Sequence, residues 1–196
     1  MIVGLCGLQG SGKDTFADAL VKHHGFVKLS SSAVLKDVVA VLFGWDREML
    51  NGTTPASRAW REQEDVWWSS RLRKPGFTPR RALQELGTDV MRDHFHEDIW
   101  MIAFERQLEK YDRVVVNDCR FVNDIASLRG RGAKIVHITR GALPDWFLEA
   151  QRGVAPPACH HVTEWAWCRE AFDAVVANDS SVEALEEEAA KFIRSL

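Results

Sequence analysis

The stretch that most limits what this chain can fold into stands at its start: "IVGLCGLQGSGKDTF", residues Ile2 to Phe16. A short apolar run ends at Cys6, a turn carries Gly7, Gly10 and Gly12, and Lys13 opens a helix-spaced segment. Strand, loop and helix therefore follow one another without a spacer. The glycines let the backbone turn tightly and aim several N–H groups at one point. Lys13 adds a mobile cation, and the helix contributes its positive dipole end, so the segment is built to hold a polyanion. One letter departs from the usual form of such a loop. Asp14 follows Lys13 where Ser or Thr would offer a hydroxyl to magnesium, and Thr15 arrives one position late. A bare carboxylate ~4 Å from a phosphate is repelled by about 4 kcal/mol at an effective dielectric near 20. A divalent cation between them reverses that sign. Asp14 therefore either faces magnesium, directly or through water, or points out of the loop at a helix start that favours an acid.

The rest of the chain alternates in the same manner. After the helix from Lys13 to His24 come a strand in "GFVKLS" and a helix in "SSAVLKDVVAVLFG", closed by Gly44. "RVVVND" (Arg113 to Asp118) and "AKIVHIT" (Ala133 to Thr139) read as strands separated by the helix-like "FVNDIASLRGRG". "DAVVAND" (Asp173 to Asp179) reads as the fifth strand and Val182 to Leu196 as a closing amphipathic helix. Such alternation predicts an α/β fold whose parallel sheet is covered on both faces. Its 196 residues fit one domain, with a core of residues 1–44, 113–140 and 173–196. Two segments interrupt the pattern. Residues 45–112 are polar and Trp-rich, with helical spacing from about Pro79 onward, and residues 141–172 carry Pro144, Gly153, Pro156 and Pro157. The first reads as a substrate-clamping insertion and the second as a lid, expected as a mobile excursion rather than regular packing.

Composition removes some function classes. A formal charge of −3 gives no general attraction to nucleic acid or anionic lipid, and no apolar run approaches the ~20 residues a bilayer requires. Four cysteines without a CxxC pair suggest reduced thiols and a cytoplasmic setting, and Cys6 and Cys119 read as small buried hydrophobes. Cys159, His160, His161 and Cys168 could form a zinc set in the lid, but the usual C-x2–4-C spacing is missing.

Several residues outside the loop suit phosphate chemistry. Asp118 ends a strand where a carboxylate can reach a metal, and Arg120 follows two positions later. "TPRRALQELGTDV" (Thr78 to Val90) carries the Arg80–Arg81 pair, Gln84 one turn on, then Gly87, Thr88 and Asp89. Between Val66 and Gln84 there are five Lys/Arg and no acid, which suits a second phosphate or a solvated basic face. Eight Trp stand against one Tyr; Trp60, Trp67 and Trp68, with Trp45 and Trp100, could stack a base, although for any single Trp core packing is favoured.

With these pieces on the page the chain resembles the phage-type deoxynucleoside monophosphate kinases, of the P-loop nucleoside monophosphate kinase superfamily. The resemblance rests on "GSGKDT", "LKD" (Leu35 to Asp37), "RRALQELGTD" with Trp100 downstream, "VVVNDCRF", "IVHITRG", "HVTE" (His161 to Glu164) and "VVANDSSVEAL". It implies a five-stranded parallel sheet in the order 2-3-1-4-5, and transfer of the γ-phosphoryl group of ATP to a deoxynucleoside 5′-monophosphate. Gly7, Gly10, Ser11, Gly12, Lys13, Asp14 and Thr15 would then bind ATP, with Asn178 where such folds hold the adenine. Asp14, Thr15 and Asp118 would organise Mg2+, while Lys13, Arg120 and Arg140 would serve the transferring group. Lys36, Arg80, Gln84, Gly87, Thr88, Asp89, Trp100, Arg120, His161 and Glu164 would bind the acceptor. A host-cytoplasmic setting is implied if the chain is phage-encoded, with no nucleic-acid or membrane partner and a homodimer left open. One rival reading is a kinase of another small phosphorylated metabolite, phosphomevalonate- or dephospho-CoA-kinase-like; another is a nucleotide-dependent switch. A base-binding wall of Trp and Gln within residues 45–100 separates the first rival, and the missing Asp-Glu pair after "VVVN" argues against the second.

Overall fold

Five strands, all parallel, run side by side in the order β2-β3-β1-β4-β5, where β1 is Ile2–Cys6, β2 Val27–Leu29, β3 Val114–Val116, β4 Lys134–Thr139 and β5 Ala174–Ala177. The parallel direction is the one the strand–helix alternation predicts, and the order is the one the family resemblance implies. The computed structural model describes residues 1–157, 160 and 162–196. Among these, no helix is long and apolar enough to cross a membrane.

The strands read as continuous apolar runs because both faces of the sheet are covered. On one face Val3 and Leu5 of β1 meet Phe16, Ala17 and Leu20 of α1 (Lys13–His24) and Leu185, Ala189 and Phe192 of α9 (Val182–Arg194). On the other, Gly4 and Cys6 lie against Cys119, Ile135 and Leu128, the last from α7 (Val122–Gly130). Register is set on both sides of β1: Gly4 pairs with Val116 of β3 and Ile135 of β4, and Cys6 pairs with His137. The central strand thus delivers Gly7 to the C-terminal edge of the sheet, between the ends of its two neighbours.

The chain divides into two units, the first of residues 1–31 and 105–196, the second of residues 32–104. The second boundary differs from the expected start of the insertion at residue 45. Helix α2 (Ala33–Phe43), assigned to the core from its pattern, instead clusters with the insertion, because Val39 is buried with Leu50, Phe77 and Ala82. The same small core takes Phe43, Trp45, Trp60 and Trp68 around its edge. Helical structure also begins earlier than the spacing from Pro79 indicated, with α3 (Pro55–Arg61) and α4 (Val66–Leu72) ahead of α5 (Pro79–Gln84). Both extra helices are set by caps. Thr54 and Ser57 form a reciprocal capping pair before Pro55, and Asp65 accepts from the Trp68 N–H. After α5 the chain widens into an eleven-residue π-helix, Glu85–Phe95, and then enters α6 (Ile99–Leu108).

The lid differs from expectation in its packing. Residues 141–172 were read as an excursion without regular packing, yet α8 (Asp145–Gln151) buries Phe147, and Trp167 is 1% exposed. Both rings lie against His137 of β4, with centroid distances of 6.2 Å and 5.1 Å, and Phe172 completes the cluster at 4.8 Å. Burial, helped by the Lys13 charge, lowers His137 to a pKa of about 4, so the ring packs as a neutral group. The aromatic content of the segment outweighs its prolines, since burying such rings contributes more than the loop residues cost in order.

The packing behind β1 leaves no room for a methyl group at Gly4. A Cβ there would stand 2.8 Å from Ile135 Cδ1, 3.0 Å from Cys119 Sγ and 3.3 Å from Leu128 Cδ1. Gly4→Ala should therefore destabilise the protein by about 1–3 kcal/mol, because three side chains must shift together. The check is a denaturant titration, in which the midpoint should fall while the slope stays constant.

Candidate active site

The Gly-rich loop is held open by its own geometry. Gly7 has φ 155°, and a Cβ on it would lie 2.4 Å from the Ile138 carbonyl oxygen and 2.6 Å from Ser11 Oγ, so no side chain fits. Gly12 turns at φ 100° and caps α1, whose first residue is Lys13. The Ser11 N–H donates to the Leu8 carbonyl at 3.2 Å, closing the turn. Lys13 Nζ donates to the Gly7 and Leu8 carbonyls at 2.8 Å each, with Ser11 Oγ at 3.5 Å. Burial lowers the Lys13 pKa to about 8, and the nearby Arg120 charge adds to the effect; Asp14 and Asp118 act in the opposite direction.

Asp14 is exposed and accepts a hydrogen bond from Asn117 Nδ2 through Oδ1, at 2.5 Å. It therefore turns toward the tip of β3. Asn117 was not singled out from the sequence, although it adjoins Asp118 in "VVVND". The Asp118 carboxylate is oriented by two donors from the end of β2, the Ser30 hydroxyl at 2.6 Å and the Ser31 N–H at 3.0 Å. Thr15 is half-buried in the first turn of α1. Arg120 and Arg140 are exposed at the ends of β3 and β4. A cavity of about 230 Å³ lies beside the loop, with Gln9, Gly10 and Ser11 on one side and Thr139, Arg140 and Pro144 on the other. Asn178, just after β5, donates from Nδ2 to the Ser11 carbonyl at 3.0 Å, and Asp179 accepts from the Gly141 N–H at 2.6 Å. Glu164 ends a short 3-10 turn (Val162–Glu164), 4.0 Å from His160 Nδ1. Cys159 and His161 lie outside the described residues, so the zinc set and the His161 assignment do as well. Of the other two, Cys168 is buried and His160 stacks on Trp146 at 4.0 Å.

These oxygen donors fit magnesium. The ion is held through one or two carboxylates plus substrate phosphates more often than by an all-protein cage. Asp14 and Asp118 flank Lys13 closely enough to act on its charge, and Thr15 adds a hydroxyl to the same turn. Among the described residues no three His, Cys, Asp or Glu side chains gather into a protein-only site.

In the second unit the basic segment separates into different roles. Arg80 is exposed and pairs with Glu62, Nε to Oε1, at 3.0 Å. Arg81, the other member of the pair, bonds Glu85 at 2.7 Å and the Pro75 carbonyl at 3.2 Å. Gln84, Thr88 and Asp89 are exposed along α5 and the π-helix. Gly87 is buried against Leu35, and a Cβ would come within 2.7 Å of Leu35 Cδ2. Trp100 is 6% exposed and its indole N–H donates to the Gly87 carbonyl at 2.8 Å, so it shapes the π-helix rather than offering a ring face. Lys36 is half-buried on α2. Of the tryptophans considered for base stacking, Trp45 and Trp68 spend their indole N–H groups on Asp65 and the Phe43 carbonyl. Trp60 packs on the small core, whereas Trp67 is exposed, with Arg71 over its ring.

Comparison with known proteins bears on this arrangement. The sequence pattern of the family described as "Deoxynucleotide monophosphate kinase" matches residues 55–189. The chain is 28% identical to a "Putative deoxynucleotide monophosphate kinase" of Acanthamoeba polyphaga mimivirus, covering 93% of this chain and 91% of that protein. It is 23% identical to the "Deoxynucleotide monophosphate kinase" of Enterobacteria phage T4, over 94% of this chain and 95% of that one. The "Deoxynucleotide monophosphate kinase" of Escherichia phage RB69 is 30% identical over 59% of this chain and 44% of its own length.

The Asp14–Asn117 bond links the first turn of α1 to the tip of β3. Asp14→Ala, Asn117→Ala and the double variant should give a favourable coupling of roughly 0.5–1.5 kcal/mol in chemical denaturation. Strict additivity would mean that the two side chains act independently.

Proposed function

Because this chain belongs to the deoxynucleotide monophosphate kinase family, we propose that it transfers the γ-phosphoryl group of ATP to a deoxynucleoside 5′-monophosphate, releasing ADP and a deoxynucleoside diphosphate. The observation that carries this reading is Lys13. Its ammonium lies under the Gly-rich loop with the Gly7 and Leu8 carbonyls for partners, a position from which it can turn to a phosphate. A phosphate there restores the stabilisation that burial removes.

Transfer of this kind needs orientation and charge neutralisation more than a covalent catalyst. An oxygen of the acceptor phosphate bonds to the γ-phosphorus as the bond to the leaving ADP oxygen breaks. In this reading the amides of Gly10 and Gly12, with Lys13, hold the β- and γ-phosphates of the donor, and Ser11 closes the turn between them. Arg120 and Arg140 neutralise charge on the transferring group. Asp14, Thr15 and Asp118 would hold magnesium, which supplies charge neutralisation on the donor's phosphate oxygens. Lys36 and Arg80 take the acceptor phosphate, Gln84, Thr88 and Asp89 its nucleoside, and Gly87 with Trp100 keeps that wall in shape. Glu164, and by the family resemblance His161, are assigned to the acceptor. Asn178 belongs to the donor side. The setting is the cytoplasm, that of a host cell where the chain is phage-encoded.

The direct test is ADP release with ATP alone, with DNA added, and with each common and 5-substituted deoxynucleoside monophosphate. Turnover should require a monophosphate and yield its diphosphate in equal amount. Phosphate release without an acceptor, or turnover only with dephospho-CoA or phosphomevalonate, would overturn the proposal. Lys13→Met should remain folded and lose at least ~100-fold in kcat, since a preorganised cation facing developing charge is worth about 2.7 kcal/mol or more. Arg80→Ala should mainly raise KM for the monophosphate and leave ATP binding unchanged. The opposite pattern would exchange the donor and acceptor assignments.

A further inference from the structure

A loop that turns its N–H groups toward an anion must turn the carbonyls between them elsewhere, and each of those needs a donor. The Gly7 and Leu8 carbonyls are taken by Lys13. The Ser11 carbonyl is the exception, because its donor comes from the far end of the chain, from Asn178 Nδ2 at 3.0 Å. The contact is close. A Cβ on Gly12 would stand 2.3 Å from that same nitrogen and 3.2 Å from Leu185 Cδ2, so the loop lies bedded on Asn178 where it turns. Asn178 is itself anchored, since its backbone N–H donates to the Thr139 carbonyl of β4 at 2.8 Å.

The peptide unit joining Ser11 to Gly12 is planar and trans, so its C=O and N–H point in opposite directions. Whatever holds the Ser11 carbonyl therefore aims the Gly12 N–H. We propose that Asn178 is a positioning residue for the donor's phosphates: it fixes the Ser11–Gly12 peptide so that the Gly12 amide faces into the loop, and it acts through the loop rather than on the nucleobase. This rests on the reading of the loop as the donor-phosphate site. It explains why an amide side chain follows β5, where the family resemblance implies contact with adenine. One N–H of the Asn178 amide is spent on the Ser11 carbonyl, and that bond fixes where the whole amide group stands.

Inorganic tripolyphosphate, which has phosphates and no base, separates the two roles. Its affinity and that of ATP are measured by calorimetry for the wild type, Asn178→Ala and Asn178→Asp at one magnesium concentration. Asn178→Ala should weaken both ligands by the same factor, roughly five- to tenfold, the worth of one hydrogen bond. Asn178→Asp preserves the size but sets a carboxylate against a carbonyl, so it should weaken both at least as much. It also supplies the answer if the alanine variant does not fold. KM for the acceptor should be the same in every folded variant. Weaker ATP with unchanged tripolyphosphate would overturn the proposal in favour of a base contact, and unchanged affinity for both would make the bond idle. Failure of the wild type to bind either ligand would overturn the donor-site reading and this role with it, whereas the two preceding results overturn only the role of Asn178.

Discussion

An ammonium group drawn beneath a turn of backbone, with two carbonyls as its close partners, is the arrangement on which the first unit depends. Burial costs Lys13 part of its hydration, and its pKa falls to about 8 as a result, with the Arg120 charge adding to the effect. The loop is built close to its neighbour: Gly7 passes within a methyl's reach of the Ile138 carbonyl, and no other residue could follow that path. The loop is therefore clamped by the strand beside it, and the β1–β4 register that pairs Cys6 with His137 decides where Lys13 can stand.

Strand order then accounts for the acidic groups. With β3 between β2 and β1, the tip carrying Asn117 and Asp118 lies between the end of β2 and the start of α1. Asp118 is turned by Ser30 and Ser31, and Asp14 by Asn117. The carboxylate after Lys13 is exposed in the first turn of α1 and has a specific amide partner, Asn117, just beyond the neighbouring strand.

The second unit shows a different economy. Its aromatic residues mainly build a core too small to form from aliphatic groups alone, with Phe43, Trp45, Trp68 and Phe77 in mutual contact. Burial there consumes the indole N–H groups and leaves few ring faces for a ligand. Arg81 follows the same logic, tied to Glu85 one helical turn away, while Arg80 points outward to a weaker, exposed pairing.

The parallel sheet, the bounding helices and the Gly-rich loop were legible in the chain, because each depends on local periodicity, on glycine at turns, or on the handedness that governs parallel crossovers, whereas the strand order came from the family resemblance. The helices at Pro55 and Val66 were legible too, in the capping letters Thr54–Ser57 and Asp65, although the polar composition concealed them. What the sequence by itself determined is the kind of chemistry available: a cation and amides at a helix start, carboxylates at a strand tip, and arginines in an insertion. Only the tertiary structure decided how those groups are employed. It tied Arg81 to Glu85, buried Trp100 behind Gly87, packed the Pro-rich segment around His137, and set Asn178 under the Ser11 carbonyl. Each of these depends on a partner distant along the chain or on competition for a single buried hydrogen bond, and spacing along a sequence encodes neither.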